Sequence, residues 1–479
     1  MKNDILFILS KKMTTLTALN LFMTAQEVHQ KQREFYASQQ TKNPSFRKNS
    51  LKRFQNVLNG KENDINEALA ADLGKSTFES FLTEYFVVMK ELRTMIKHLE
   101  QWSQPRRVSA SVFNFPSKDY LIPEPFGCAL QISPWNYPFQ LSLATLIGAV
   151  AAGNTVVLKP SEHAPKTAEL LANIIAEAFQ PEHVTVLNGD AKIAQDLLAL
   201  RWDHIIFTGS THIGKIVAKA AAEHLTPTIL ELGGKNPCIV DATAPIALTA
   251  KRIVWGKYVN CGQTCIAPDY LLVDRKIKDE LIAAMVKEIK VAYGENPETS
   301  ESYGRIAHQK HFDRLVQMIE NSTLLHGGNH KAETRYIEPT LLEVNDTSHP
   351  TMADEIFGPI LPLLAYDKES EIDGIIAQFE RPLGFYVFSK RAKFIQHLFE
   401  RYSFGGGVSN DSMIQFVNDK LPFGGVGHSG LGAYHGKHSF DAFTHLKPVV
   451  KRGTWLDPSI RYAPYPKSFV WLKKLSNYM

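Results

Sequence analysis

Between Thr155 and His224, short apolar runs alternate with amphipathic segments: Thr155 to Pro160 reads as strand, Ala164 to Phe179 as helix, Val184 to Leu187 and Asp203 to Thr208 as strands, and Ile213 to His224 as helix. Such an alternation closes into a mostly parallel, doubly wound sheet with helices on both faces, because a parallel neighbour needs a crossover connection. It also fixes where a ligand goes, since crevices in these sheets lie at the carboxyl ends of the strands. The pattern resumes after Glu231, with Asp269 to Val273 as strand, Lys276 to Val291 as helix, and Arg335 to Leu342 and Glu355 to Leu364 as further strands. A second α/β unit is therefore expected. With 479 residues, 44% of them hydrophobic, the chain can bury two such cores.

Ahead of the alternation, Thr24 to Arg107 has helical periodicity, with Phe81, Phe86, Met89, Leu92, Ile96 and Leu99 on one face. Val108 to Tyr120 reads as a hairpin around the turn signal Pro116-Ser117-Lys118-Asp119. Gly127 to Ser133 is a buried strand that runs into Pro134-Trp135-Asn136-Tyr137-Pro138, where two prolines hold the backbone around one amide side chain. Late in the chain, Gly405 to Gly407 and Asn410 read as a flexible connection and Pro422 to Gly430 as a glycine-rich loop.

A net charge of only +4 is too balanced to argue for nucleic acid, which normally needs a concentrated basic face. Four cysteines without dense spacing point to free thiols in a reducing compartment, with the cytoplasm as the expected location. No apolar run reaches the roughly 18 residues that a bilayer span requires. The opening run Ile5 to Leu9 is short and closed by Lys11 and Lys12, which argues against a secretory leader. Met13 offers an alternative start that would make the first twelve residues an upstream extension.

Chemistry concentrates in Tyr258 to Tyr270, where Cys261 and Cys265 sit among Asn260, Gly262, Gln263 and Thr264. Small polar neighbours favour a turn with accessible amides, a setting for a reactive thiol rather than a packing one. Nothing in the spacing chooses between the two cysteines. No second cysteine or histidine pair stands nearby at zinc spacing, so no metal site is expected. Glu231 is an acid inside the apolar segment Leu230-Glu-Leu232, and burying a carboxylate is costly enough to suggest a general base. Phe207 to Lys215 joins a strand to a helix with Gly209 and Gly214 placed for phosphate approach, although Thr211 replaces the middle glycine of the usual dinucleotide fingerprint.

Four segments in order, Leu-Glu-Leu-Gly-Gly-Lys from Leu230, Asn-Cys-Gly-Gln-Thr-Cys from Asn260, Glu-Ile-Phe-Gly-Pro from Glu355 and Leu-Pro-Phe-Gly-Gly-Val-Gly from Leu421, resemble the signature segments of the aldehyde dehydrogenase superfamily. The resemblance runs from about Arg47 to about Arg452. Ile-Ala-Pro-Asp-Tyr after Cys265 and Ala-Tyr-His-Gly-Lys from Ala433 are similar to its class 3 branch, which includes fatty and aromatic aldehyde dehydrogenases and bacterial coniferyl-aldehyde enzymes.

The resemblance implies oxidation of aldehydes, medium or long aliphatic or aromatic, to carboxylic acids with NAD or NADP. Cys265 would be the nucleophile passing through a thiohemiacetal and a thioester, Glu231 the base that activates the hydrolytic water, and Asn136 the side-chain donor to the oxyanion. Lys159, Glu162, Gly209, Ser210 and Gly214 would contact the adenosine and pyrophosphate side of the cofactor, and Glu355 and Phe357 the nicotinamide side. Asp269, Tyr434 and His435 match positions assigned to substrate contact or proton relay. It also implies an NAD(P)-binding domain over 24–107 and 128–231, a catalytic domain over 232–433, an oligomerisation arm over 108–127 and 438–452, and a homodimer.

The tail 453–479 mixes basic and aromatic residues, including Trp455, Tyr465, Phe469 and Trp471, and is expected to pack on a partner subunit rather than on a membrane surface. Two rivals are a cofactor-independent cysteine hydrolase or thioesterase, against which the nucleotide-site residues argue, and a catalytically idle protein of this fold, against which Asn136, Glu231 and Cys265 argue. Ser429 and His428 show no companion acid at a telling spacing for a hydrolase triad.

Overall fold

The structure, a computed structural model, describes residues 24–111, 114–320, 322–470 and 473–474. The opening run Ile5 to Leu9 and Trp471 of the tail lie outside them. Two sheets carry the molecule. The first has six strands in the order Gly430–Leu431, Thr228–Glu231, His204–Thr208, Cys128–Ile132, Thr155–Lys159 and Val184–Val186. Its five central and far strands are parallel, and Gly430–Leu431 joins antiparallel to Thr228–Glu231. Strands buried on both faces read as unbroken apolar runs, as in Val156-Val157-Leu158.

The second sheet has seven strands, ordered Thr323–His326, Thr340–Glu343, Ile360–Tyr366, Tyr270–Asp274, Pro237–Val240, Gly384–Phe388 and Gly406–Ser409. All are parallel except Thr323–His326. Helices cover both sheets, and each sheet has its own apolar core, one around Val156, Ile147 and Leu92, the other around Leu271, Ile253 and Leu361. This is the two-sheet α/β class that the alternation implies.

Four expectations of local structure are revised. Arg335 to Leu342 is two strands rather than one: Tyr336–Ile337 pairs with His330–Lys331 in a separate ribbon, and Thr340–Glu343 lies in the second sheet. The expected hairpin is present, but not with the expected turn: Arg106–Val108 pairs antiparallel with a long strand, Ser117–Pro125, which takes in three of the four supposed turn residues, Ser117, Lys118 and Asp119. That strand is held on its other side by the distant Thr444–Arg452, so tertiary pairing overrides the local Pro-Ser-Lys-Asp signal. Glu355 to Pro359 is loop, and the strand begins only at Ile360. Gly406–Ser409 is an edge strand rather than a connection; a Cβ on the preceding Gly405 would lie 2.6 Å from the Gly424 carbonyl, so close backbone packing, not flexibility, explains glycine there. One helix that the periodicity hides is Gln140–Ala152, buried along its whole length and so without an amphipathic stripe.

Candidate active site

Four neighbouring parallel strands of the first sheet end in Ile132, Lys159, Thr208 and Glu231. The loops that leave those ends carry Asn136, Lys159 with Glu162, Gly209 with Ser210, and Glu231 itself. The amino ends of the second sheet's strands supply the opposite wall, with Cys265 and Asp269 ahead of Tyr270, and Glu355 and Phe357 ahead of Ile360. One contact closes the gap directly: the Asn136 side-chain Nδ2 donates to the Gln263 carbonyl at 3.0 Å.

The cysteine loop is unusual backbone. Asn260, Cys261 and Gly262 follow one another in the left-handed region, with φ of 52°, 53° and 71°. Non-glycine residues pay about 1–3 kcal/mol each for such a conformation, so neighbours must hold it. They do. Glu79 accepts the Asn260 N–H at 3.0 Å, Gln263 donates to the carbonyls of Asn260 and Arg305 at 3.0 Å each, and the Gln263 side-chain oxygen accepts the Ala307 N–H at 3.0 Å. Gly262 must be glycine on two counts, since a Cβ there would also lie 2.3 Å from the Gly358 carbonyl.

This backbone separates the two thiols. Cys261 is buried in the core of the second sheet, beside Tyr303, and burial drives its thiol pKa up. Cys265 is half-buried and lines a cavity of about 220 Å³ together with Tyr137, Leu141, Ile266, Phe416 and His435. Its pKa is also pushed up, by burial first and then by the Glu355 and Glu231 carboxylates, against which its own backbone N–H and that of Ile266 donate toward sulfur. The resting group is a thiol that needs a base.

Glu231 has the features of one. It is 2% exposed, and neither carboxylate oxygen has a hydrogen-bond partner among the described residues. Burial alone holds its pKa well above the ordinary carboxylate range.

On the cofactor side, Lys159 is buried and its Nζ meets the half-exposed Glu162 at 2.5 Å. Ser210 caps the helix Thr211–Glu223, and a Cβ on Gly214 would lie 2.5 Å from a Leu232 methyl, so any larger residue there would require that side chain to shift. Glu355 stands over Gly233, where a Cβ would lie 1.9 Å from its carboxylate, and burial raises its pKa to about 8. Phe357 has φ of 56° and packs edge-on against Trp135 at 5.3 Å.

Of the remaining three, His435 lines the cavity, with φ of 98° and Nδ1 unpartnered among the described residues; burial lowers its pKa to about 4, so it is neutral. Tyr434 is fully buried next to it, its phenol pKa raised by burial and by the Glu231 and Cys265 charges. Asp269 lies 2.6 Å from Lys235 Nζ and accepts the Ile356 N–H at 3.0 Å, and it does not line the cavity.

Asn236, absent from the residues that the motifs pick out, also builds the site. Its side chain donates to the carbonyls of Cys265 at 2.8 Å and Ala267 at 2.9 Å and accepts the Gly384 N–H at 2.7 Å, so one buried amide fixes the backbone around the thiol. An asparagine just before Pro237 in an apolar context was the available signal. Among the described residues no group of three or more His, Cys, Asp or Glu could hold a metal ion.

A model of the aldehyde dehydrogenase family matches residues 21–449. The chain is 44% identical over 441 residues to a 4,4'-diaponeurosporen-aldehyde dehydrogenase of Staphylococcus aureus, covering 92% of this chain and 96% of the relative. It is 42% identical over 436 residues to a dimeric NADP-preferring aldehyde dehydrogenase of Rattus norvegicus, covering 91% and 96%. A solved structure described as the substrate-bound state of Staphylococcus aureus AldH superposes with a TM-score of 0.93 at 42% identity, covering 95% of this chain and all of that one.

Proposed function

The chain belongs to the aldehyde dehydrogenase family, as a class 3-like NAD(P)-dependent oxidoreductase acting on aldehydes, and from that membership we propose that Cys265 is the thiol on which hydrophobic aldehydes are oxidised to acids. One observation carries the reading: Cys265 meets an apolar cavity while the unpartnered carboxylate of Glu231 is near enough to raise its pKa.

Glu231 takes the thiol proton, and sulfur attacks the carbonyl carbon. The negative charge that develops on oxygen is met by the free Asn136 Nδ2 proton and the Cys265 backbone N–H, donors worth on the order of 3 kcal/mol each in such sites. A bound oxidised nicotinamide supplies the hydride acceptor. Once the thioester has formed and Glu231 has released the thiol proton to solvent, its carboxylate removes a proton from the water that hydrolyses the thioester, and sulfur leaves as the better leaving group. Of the three further positions, His435 contacts substrate from the cavity wall and Tyr434 supports it, whereas Asp269 orients the Glu355 segment through Ile356.

The donor set fits a nicotinamide dinucleotide. Lys159 and Glu162 offer an ammonium and a carboxylate to ribose hydroxyls, Gly209, Ser210 and Gly214 open a helix N-terminus to the pyrophosphate, and Glu355 would offer a carboxylate to the nicotinamide ribose and Phe357 a ring to position the nicotinamide. The stretches 24–107 and 128–231 would form the cofactor domain, 232–433 the catalytic domain, and 108–127 with 438–452 the arm of a homodimer, its edge strand Thr444–Arg452 open to a partner. The tail from 453, with Trp455 and Tyr465 exposed, would lie on that partner. The described residues hold no helix long and apolar enough to cross a membrane; four free thiols favour the cytoplasm.

Substrate choice tests the reading. In an n-alkanal series, kcat/KM is expected to rise about fourfold per methylene from acetaldehyde until the cavity is filled, the equivalent of about 0.8 kcal/mol per buried CH2. A flat series would remove the hydrophobic assignment. Cofactor choice gives a second test. Glu162 disfavours a 2′-phosphate by charge, only partly offset by Lys159, so NAD is the better cofactor and Glu162→Gln is expected to improve kcat/KM for NADP by about tenfold with little change for NAD.

A further inference from the structure

Resting on the reading of Asn136 as the oxyanion donor, we propose that the buried ion pair Lys75–Glu84 is the positioning device for that donor. Lys75 Nζ lies 2.5 Å from Glu84 Oε1 and neither side chain is exposed. An ion pair removed entirely from water is seldom more stable than apolar packing of the same volume, so its presence points to a geometric use.

The other hydrogen bonds of the pair's side chains reach the segment from Asn136 to Gln140, while both charges are also felt by the Glu79 carboxylate. Lys75 Nζ also donates to the Asn136 carbonyl at 3.3 Å and stands 4.0 Å above the Tyr137 ring. Glu84 Oε2 accepts the backbone N–H groups of Phe139 at 3.1 Å and Gln140 at 2.8 Å, at the start of the helix Gln140–Ala152. A carboxylate there satisfies orphan donors and meets the positive end of the helix. One ion pair thus grips the Asn136 segment on both sides.

The grip matters for a single proton. Asn136 Nδ2 carries two, and one is committed to the Gln263 carbonyl. The other points where the backbone of Asn136 directs it. The Asn136 carbonyl is held by Lys75 and, at 2.8 Å, by Asn260 Nδ2 of the cysteine loop, so the pair sets the donor's place relative to Cys265. Glu84 lies in a π-helical turn, Phe81–Tyr85, set between the helices Thr77–Ser80 and Phe86–Trp102. Such turns recur at functional sites because the extra residue re-aims side chains. Here Glu84 faces the buried lysine while Leu82, Thr83 and Phe86 line the cavity.

The test compares four proteins: the parent, Asn136→Ala, the pair variant Lys75→Met/Glu84→Gln, and the combination of all three substitutions. Removing both charges together avoids leaving one buried and unpaired. Single-turnover formation of reduced cofactor from a saturating aldehyde, the aldehyde KM and the cofactor Kd are measured in each. Asn136→Ala is expected to slow the single turnover by about 10²–10³-fold. The pair variant is expected to slow it roughly 10- to 100-fold with KM and Kd within about twofold of the parent, since misplacement of a group by about 1 Å has effects of that size. In the Asn136→Ala background the pair substitutions should change the rate by less than about twofold.

Equal losses in both backgrounds, or a pair variant as fast as the parent, would overturn the proposal. An Asn136→Ala protein as fast as the parent would remove the oxyanion reading, and the positioning role with it, by a different pattern. If the pair variant does not fold, Glu84→Asp replaces it; that change keeps the charge but withdraws the carboxylate from Phe139 and Gln140, and the same outcomes decide.

Discussion

Cys265→Ala is expected to lower aldehyde oxidation by at least about 10⁴-fold while leaving the Kd for oxidised cofactor within about twofold. The loss is large because no other described thiol reaches the cavity: Cys128, Cys238 and Cys261 are all buried. Cys261→Ala is the matched control. Its side chain packs in the core of the second sheet, so the change should leave kcat within a few-fold and lower stability by about 1–2 kcal/mol, read as a drop in Tm. Steady-state production of reduced cofactor from decanal or benzaldehyde by the three proteins, with cofactor binding followed by fluorescence, checks both statements. Activity that survives Cys265→Ala and disappears with Cys261→Ala would reverse the assignment.

Glu231→Gln should slow hydrolysis more than the first half-reaction, because solvent base can still take the Cys265 proton over the time of a single turnover whereas the hydrolytic water is left without a base. Turnover is expected to fall by roughly 10²–10³-fold, and a burst of reduced cofactor near one equivalent per site should precede the slow phase if the thioester accumulates. The pH dependence follows from the direction of the pKa shift. A base must be ionised to work, and burial holds Glu231 well above the ordinary carboxylate range, so activity is lost as pH falls through that raised value and the optimum is alkaline. Glu231→Gln should flatten this limb. Stability moves the opposite way. A carboxylate whose folded pKa is raised leaves the folded state with more bound protons than the unfolded one, so its contribution is fully present below the unfolded pKa and is lost as pH rises through the folded one. The Gln variant is therefore expected to melt above the parent at alkaline pH, trading activity for stability.

What the sequence made legible was what short-range chemistry records. Short apolar runs rich in β-branched residues, such as Val156-Val157-Leu158 and Ile205-Ile206-Phe207, read as strands covered on both faces, and their spacing brought out the parallel sheets. A lone acid between Leu230 and Leu232 marked Glu231, and two prolines marked the Asn136 turn. Other features depend on contacts between distant segments. The Glu355 loop resembles the start of a strand because Ile356, Phe357 and Ile360 are apolar, yet Asp269 holds the Ile356 N–H, His311 Nε2 bonds the Phe357 carbonyl at 2.7 Å and Arg314 donates to the Glu355 carbonyl at 3.2 Å, keeping Phe357 in the left-handed region. No local pattern encodes that. The choice between Cys261 and Cys265 likewise rests on three successive left-handed residues, which four residues of spacing cannot reveal. Nothing local marks Lys75 and Glu84 as a buried pair; only the fold encloses them.

The most direct test of the account is the site of the acyl group. Glu231→Gln protein is mixed with decanal and oxidised cofactor, quenched in acid during the slow phase, digested, and the peptide carrying both cysteines is fragmented by mass spectrometry. The account expects a decanoyl mass on Cys265 and an unmodified Cys261. A decanoyl group on Cys261, or reduced cofactor formed in stoichiometric burst with no acyl group on either cysteine, would contradict it.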